Sequence, residues 1–137
     1  MKSNMIRWIK DLFYEFRSIT GNGIENTLAY FEKINPEFKR IKFKSGTKVF
    51  DWVVPDVWEI KEAYIKHQSG KKFCDISVSN LHVVNYSKKI NINLSKRELV
   101  KKIYSRKDYP NAIPYITSYY RKDWGFCISD HQKLKLP

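Results

Sequence analysis

The chain has 137 residues, 42% hydrophobic and 15% aromatic, which is ample apolar material for a packed core and excludes a disordered polypeptide. Lys and Arg number 26 against 14 Asp and Glu, so the formal net charge is +12 and an anionic partner has to be weighed. Lysine dominates, scattered in doublets such as Lys71-Lys72, Lys88-Lys89 and Lys101-Lys102, whereas phosphate recognition favours arginine forks grouped on one face; nucleic acid is not expected as a partner.

From the start, Arg7, Lys10, Asp11 and Glu15 interrupt the sequence before any long apolar run develops, which argues against a signal peptide and a membrane-spanning helix and predicts no membrane partner. Met5, Ile9, Leu12, Phe16 and Ile19 recur at helical spacing and predict an amphipathic helix over 4–18, capped by Ser3 or Asn4. Thr20-Gly21-Asn22-Gly23 breaks that stripe. Ile24, Thr27, Leu28, Phe31 and Ile34 form a second one, stopped by Asn35-Pro36, so two packed helices are expected to open the chain.

Beyond Pro36 the period changes to alternation. Ile41 and Phe43 lead through the turn-like Ser45-Gly46-Thr47 to Val49, Asp51 and Val53. Trp58 to Tyr64 reads as a strand, Gln68-Ser69-Gly70-Lys71 as a hairpin turn, and Phe73 to Val78 as the returning strand. Leu81 to Tyr86 is read as a further strand. Ser95-Lys96-Arg97-Glu98 has the form of a capping box, with Leu99, Val100, Ile103 and Tyr104 as the apolar face of a short helix. Pro110 and Pro114 bracket a loop, and Tyr115 to Tyr120 is expected to pair antiparallel with Trp124 to Ile128. Cys74 and Cys127 sit in apolar, strand-like runs, the pattern of reduced, buried thiols and hence of a cytoplasmic protein.

Several long words stand in fixed order: Arg17-Ser-Ile-Thr-Gly-Asn-Gly23, Ser45-Gly-Thr-Lys-Val-Phe-Asp-Trp52, Ser79-Asn-Leu-His-Val-Val-Asn-Tyr-Ser87, Ala112-Ile-Pro-Tyr-Ile-Thr-Ser-Tyr-Tyr120 and Trp124-Gly-Phe-Cys-Ile-Ser129. Together they resemble a bacterial family of aminopeptidase-like domain proteins, carrying domains of unknown function and distantly related to di-zinc exopeptidases. The resemblance implies members about three times this length, with an α/β exopeptidase domain, a β-rich insertion and a winged helix-turn-helix, some of them near polysaccharide genes. It implies that this chain is an N-terminal fragment of a zinc aminopeptidase-like hydrolase. On that basis the expected fold class is α+β, part of an α/β zinc-exopeptidase-like fold. Residues 1–55 would supply two helices and the first strands, and residues 56–137 a β-rich inserted domain of antiparallel hairpins with one short helix. The implied partners are the missing C-terminal part of the same protein, a peptide-like or amide substrate, and a second copy of the chain. The alternative is a stand-alone basic interaction or nucleic-acid-binding module.

A co-catalytic di-zinc site needs about five His, Asp and Glu ligands and a Glu base. The three histidines, His67, His82 and His131, stand apart, and no His-Glu-x-x-His helix occurs, so zinc is expected in the full-length family and not on this chain alone. Catalytic residues are therefore not assigned. Asp130-His131, at a predicted strand end, is the candidate metal pair, weighed against a polar turn; where the chain has Ser129-Asp130-His131-Gln132, the family pattern places the histidine one position earlier. His82 is read as a structural histidine bonding a carbonyl and His67 as exposed. Tyr119, Tyr120 and Trp124, beside Arg121 and Lys122, are the candidate substrate-binding surface, since aromatic rings with cationic neighbours stack on sugars or bases.

Overall fold

Helical periodicity produces α1 (Lys2–Leu12) and α2 (Asn22–Ile34) in the computed structural model, which describes residues 2–137. The chain divides into two units, Met1–Glu59 and Ile60–Pro137.

In the first unit α1 ends at Leu12, six residues before its predicted end, and it takes in Ser3 and Asn4, so neither is its cap; the cap position, Met1, lies outside the described residues. The two helices do not interlock through apolar faces as expected. They are tied by the Tyr30 hydroxyl donating to Asp11 and by Asn26 donating to Glu15, while Met5, Ile6 and Ile9 of α1 stay more than half exposed. Arg40 folds the segment after α2 back onto it: Nε reaches Glu32 at 2.6 Å and Nη1 reaches Glu25 at 2.8 Å, carboxylates seven residues apart on one helix face. Phe16 packs on Trp58 at 5.8 Å, and the Trp58 amide donates to the Thr20 hydroxyl.

A hairpin joins β1 (Lys48–Val49) to β2 (Trp52–Val53) in this unit. Its two-residue turn puts Phe50 at φ 52 with the ring fully exposed. That position normally takes Gly or Asn, so a bulky side chain there costs backbone strain as well as exposed apolar surface. Ile41 and Phe43 stay outside any strand.

The second unit opens with the predicted hairpin. β3 (Ile65–Lys66) pairs antiparallel with β4 (Lys72–Phe73), and Gly70, at φ 86, makes the left-handed step the turn requires. The expected long strands on either side shrink to these pairs. After Phe73 the backbone turns through Cys74 at φ 49, and residues 80–82 form a 3₁₀ turn (Asn80–His82) in place of a strand. The capping box holds: the Ser95 hydroxyl accepts the Glu98 amide, and Glu98 accepts the Ser95 amide, starting α3 (Lys96–Val100).

The largest departure follows α3. Ile103 and Tyr104, read as the face of a helix, instead form β5 (Ile103–Tyr104), and β6 (Phe126–Cys127) pairs with it in parallel. The antiparallel pairing of 115–120 with 124–128 does not form. Residues 115–120 contribute a single bridge, Thr117 to Asn85, and Val83 bridges Phe126. α4 (Asp130–Lys133) follows β6, started by a second reciprocal cap between Ser129 and Gln132. The observed class is a mixture of helices with small sheets, α+β, and the core of this unit gathers Cys74, Ile103, Phe126, Ile128 and Leu136.

Gly125 lets these elements approach. A Cβ there would lie 2.7 Å from Tyr104 Cε2, 3.0 Å from the Lys102 carbonyl oxygen and 3.1 Å from Val84 Cγ2. Gly125→Ala is expected to destabilise the chain by about 1–3 kcal/mol through forced displacement of packed neighbours, read as a lower urea midpoint at unchanged slope.

Candidate functional site

Residues 125–129 are buried without interruption and hold the second unit together. The Phe126 amide donates to Lys102, the Ile128 amide to Tyr104, and the Val84 amide to Gly125. His82 is 4% exposed and donates from Nδ1 to the Cys127 carbonyl at 2.8 Å, which fixes its tautomer and makes it a structural histidine. His67, exposed as expected, bonds Ser69 in its turn.

Both cysteines are free and buried, Cys127 completely. Burial, with the neighbouring Cys127 adding to it, pushes the Cys74 thiol up to about 12. Burial likewise pushes Cys127 up to about 11, against a smaller opposing effect of a backbone hydrogen bond at Ile116. Thiols so held are neutral and poor nucleophiles at neutral pH.

Tyr119 and Tyr120 come together and Trp124 goes elsewhere. Tyr119 meets Tyr86 edge-to-face at 5.1 Å and 85°, and Tyr120 at 5.9 Å and 77°. Burial foremost, then the nearby phenols of Tyr115, Tyr86 and Tyr120, push the Tyr119 hydroxyl above its ordinary value. Thr117, Ser118, Tyr119, Tyr120 and Arg121 line a surface depression of about 240 Å³. Trp124 instead packs edge-on against Phe126, with the Lys102 ammonium 5.6 Å from its ring centre. Lys102 also binds Asp123 at 2.5 Å and is the main reason that carboxyl sits below its usual range, with Arg121 a lesser contributor.

Tyr86 does not end a regular strand as its alternation predicts. It stands at φ 63, a left-handed conformation that costs an L-residue roughly 1–2 kcal/mol. Asn85 and Ser87 around it are the only local hint, being residues that favour turns. Asn85 and its bridge partner Thr117 each keep a buried side-chain oxygen with no hydrogen-bond partner.

Asp130 and His131 are adjacent in α4 but engage different neighbours. Asp130 accepts from the Ser105 hydroxyl at 2.8 Å, and His131 donates from Nδ1 to Asn111 at 2.8 Å while its amide bonds the Pro110 carbonyl. Both side chains thereby pin the loop between β5 and residue 111. Among the described residues no three His, Cys, Asp or Glu side chains converge in a metal-binding group, so this donor set does not fit a zinc centre.

A profile for a domain of unknown function, DUF2172, matches residues 57–137. A Clostridium acetobutylicum protein named "Putative polysaccharide biosynthesis protein with aminopeptidase-like domain" is 40% identical over 124 residues, which is 90% of this chain and 28% of that protein. The crystal structure of a "putative peptidase" from Clostridium acetobutylicum aligns with a TM-score of 0.90 and 38% identity, over 98% of this chain and 32% of that one. The chain therefore spans about a third or less of the length of these relatives.

Two outcomes follow from the geometry. The chain dialysed at neutral pH is expected to retain no stoichiometric zinc by elemental analysis; a full equivalent lost in the D130A or H131A variant would overturn that. The thiols ionise later in the folded chain than in the unfolded one, so their stabilising contribution is complete below pH 9.0 and is lost as pH rises toward about 11 to 12. Urea melts across that window are expected to show falling stability, with a shallower fall in a Cys74→Ala, Cys127→Ala variant.

Proposed function

The chain belongs to the DUF2172 family of domains of unknown function, and from that premise we propose that it is a part of an aminopeptidase-like hydrolase. The observation that carries this reading is the fit along nearly the whole chain to a solved peptidase-named structure, at a TM-score of 0.90 and 38% identity. Residues 1–55 open an α/β exopeptidase-like domain in this reading, and residues 56–137 are an insertion into it. The zinc ligands, the general base and the pocket for a peptide-like or amide substrate belong to chain outside the described residues. A cytoplasmic setting is supported by two free, buried thiols. Among the described residues no helix is long and apolar enough to cross a membrane. The relative's name suggests a place in polysaccharide biosynthesis.

Unit one supports the reading through what it leaves uncovered. Met5, Ile6, Ile9, Phe13, Ile41 and Phe50 are each more than half exposed, apolar side chains that the rest of a peptidase-like domain covers in this reading. Burying each such side chain fully contributes about 1.5–3 kcal/mol, whereas ordering the backbone costs about 1–2 kcal/mol per residue in either case. A partner sheet supplied by the rest of a peptidase-like domain restores the missing gain.

Light scattering after size exclusion, with thermal melting, tests this on the chain alone and on the chain joined to the remainder of the Clostridium acetobutylicum relative. The expected result is association or a shallow melt for the chain alone and a sharp, higher melt for the joined protein. A monodisperse monomer that melts cooperatively and gains nothing from the extension would favour the alternative, a stand-alone interaction module.

A further inference from the structure

Residues 87–95 run from the left-handed turn at Tyr86 to the start of α3 without helix, turn or bend, and Ser95 at their end is extended. Their side chains alternate. Ile90, Ile92 and Leu94 are apolar and Asn91 and Asn93 between them are polar, the period of two that puts neighbouring residues on opposite faces of a strand. The run nevertheless has no strand beside it. The last backbone pairing before it is the Lys88 amide to Asp123 and the next is made by the Ser95 carbonyl; among the described residues none involves residues 89–94.

A row of open amides and carbonyls is a template for another strand, and folded proteins commonly blunt such an edge with a charge, a proline or a bulge. Residues 90–94, Ile-Asn-Ile-Asn-Leu, have neither charge nor proline, in a chain that is 29% charged. Ile92 is 53% exposed and Leu94 37%, so the apolar face of the run is uncovered as well as its edge.

The carboxyl-terminal residues lie at one end of this run. Leu136 is buried in the core of the second unit, and its carbonyl accepts from the Lys96 ammonium at 3.0 Å. Lys96 is the first residue of α3, two positions beyond Leu94. Polypeptide following residue 137 therefore emerges beside the α3 end of the open edge. This chain spans 28% and 32% of its two relatives, and the peptidase-like reading places the remainder after residue 137.

Resting on that reading for the existence of the added polypeptide, we infer that its first stretch folds back along residues 89–94 as an antiparallel strand. Starting at the α3 end, it travels from Leu94 toward Lys89, opposite to the run itself, and antiparallel neighbours need only a short connection. Main-chain hydrogen bonds to one edge take every second amide and carbonyl of the run, and alternate side chains of the added strand pack over Ile90, Ile92 and Leu94.

Hydrogen exchange, read by mass spectrometry with fragmentation to single residues, tests this on the chain alone and on the chain joined to the remainder of the Clostridium acetobutylicum relative. In the joined protein every second amide of residues 89–94 is expected to exchange roughly tenfold or more slowly than in the chain alone. Ile92→Pro and Asn93→Pro each remove one amide, from opposite edges of the run and at exposed positions. One is expected to abolish the protection and the other, on the outer edge, to spare it, and neither to change the far-ultraviolet circular dichroism of the chain alone. Equal loss in both variants, or loss in neither, would overturn the inference. A joined protein that melts higher while residues 89–94 exchange as fast as before would remove the added strand and leave the peptidase-like reading standing; one that gains no stability would remove both. Protection that arises in the chain alone and grows with its concentration would assign the edge to a second copy instead.

Discussion

The second unit depends on one backbone segment, residues 125–129, being shared by everything around it. Five consecutive residues are buried, and hydrogen bonds reach this segment from Lys102 and Tyr104 on one side and from His82 and Val84 on another. With strands only two residues long, no sheet here is stable by its own ladder. The unit is therefore organised by satisfying the polar groups of a buried strand, and the imidazole of His82 substitutes for the missing strand partner at Cys127. The same demand explains the caps: the chain leaves the buried segment at Ser129, whose side chain at once takes over the first amides of α4.

That economy shapes the surface as well. A unit that places little backbone in sheets must fix its loops with side chains, and its few acids are used that way, each close to a cation, a hydroxyl or a helix-starting amide. Lysines are used the same way, Lys96 donating to the Leu136 carbonyl and Lys133 to the Ile103 carbonyl, so the positive potential reflects the excess of lysine over acids in this unit.

Features encoded by neighbours in sequence were legible. The Ser95 capping box, the Gln68-to-Lys71 hairpin and the stripe of α2 all involve residues fewer than fifteen apart, and their signals are local. The parallel pairing of β5 with β6 was not, because it joins residues 23 apart and nothing in the alternation of Trp124 to Ile128 says which partner it takes or in which direction. The early end of α1 defeated a good apolar stripe because Phe16 turns to Trp58 instead of continuing the helix. At the tyrosine cluster the aromatic words were readable. The left-handed turn at Tyr86 that aims one ring at another was not, since a bulky residue gives no warning of positive φ. Ser129-x-x-Gln132 carried the signature of a helix start, and its apparent position at a strand end obscured it.

The pairing pattern also sets an order of events in time. Val83 and Ile103 both pair with Phe126, and Asn85 pairs with Thr117, so these contacts close loops of 43, 23 and 32 residues around a segment near the carboxyl side of the unit. Loops of this span cost more entropy to close than a hairpin, and folds dominated by them assemble slowly. During synthesis the hairpin at 65–73 is free to form as soon as it leaves the ribosome, while Val83, Asn85 and Ile103 wait for residues 117–126 before they have anything to pair with. Closure of these pairings thus comes after the hairpin, and until they form Cys74 and Cys127 lack the burial that pushes their thiols up.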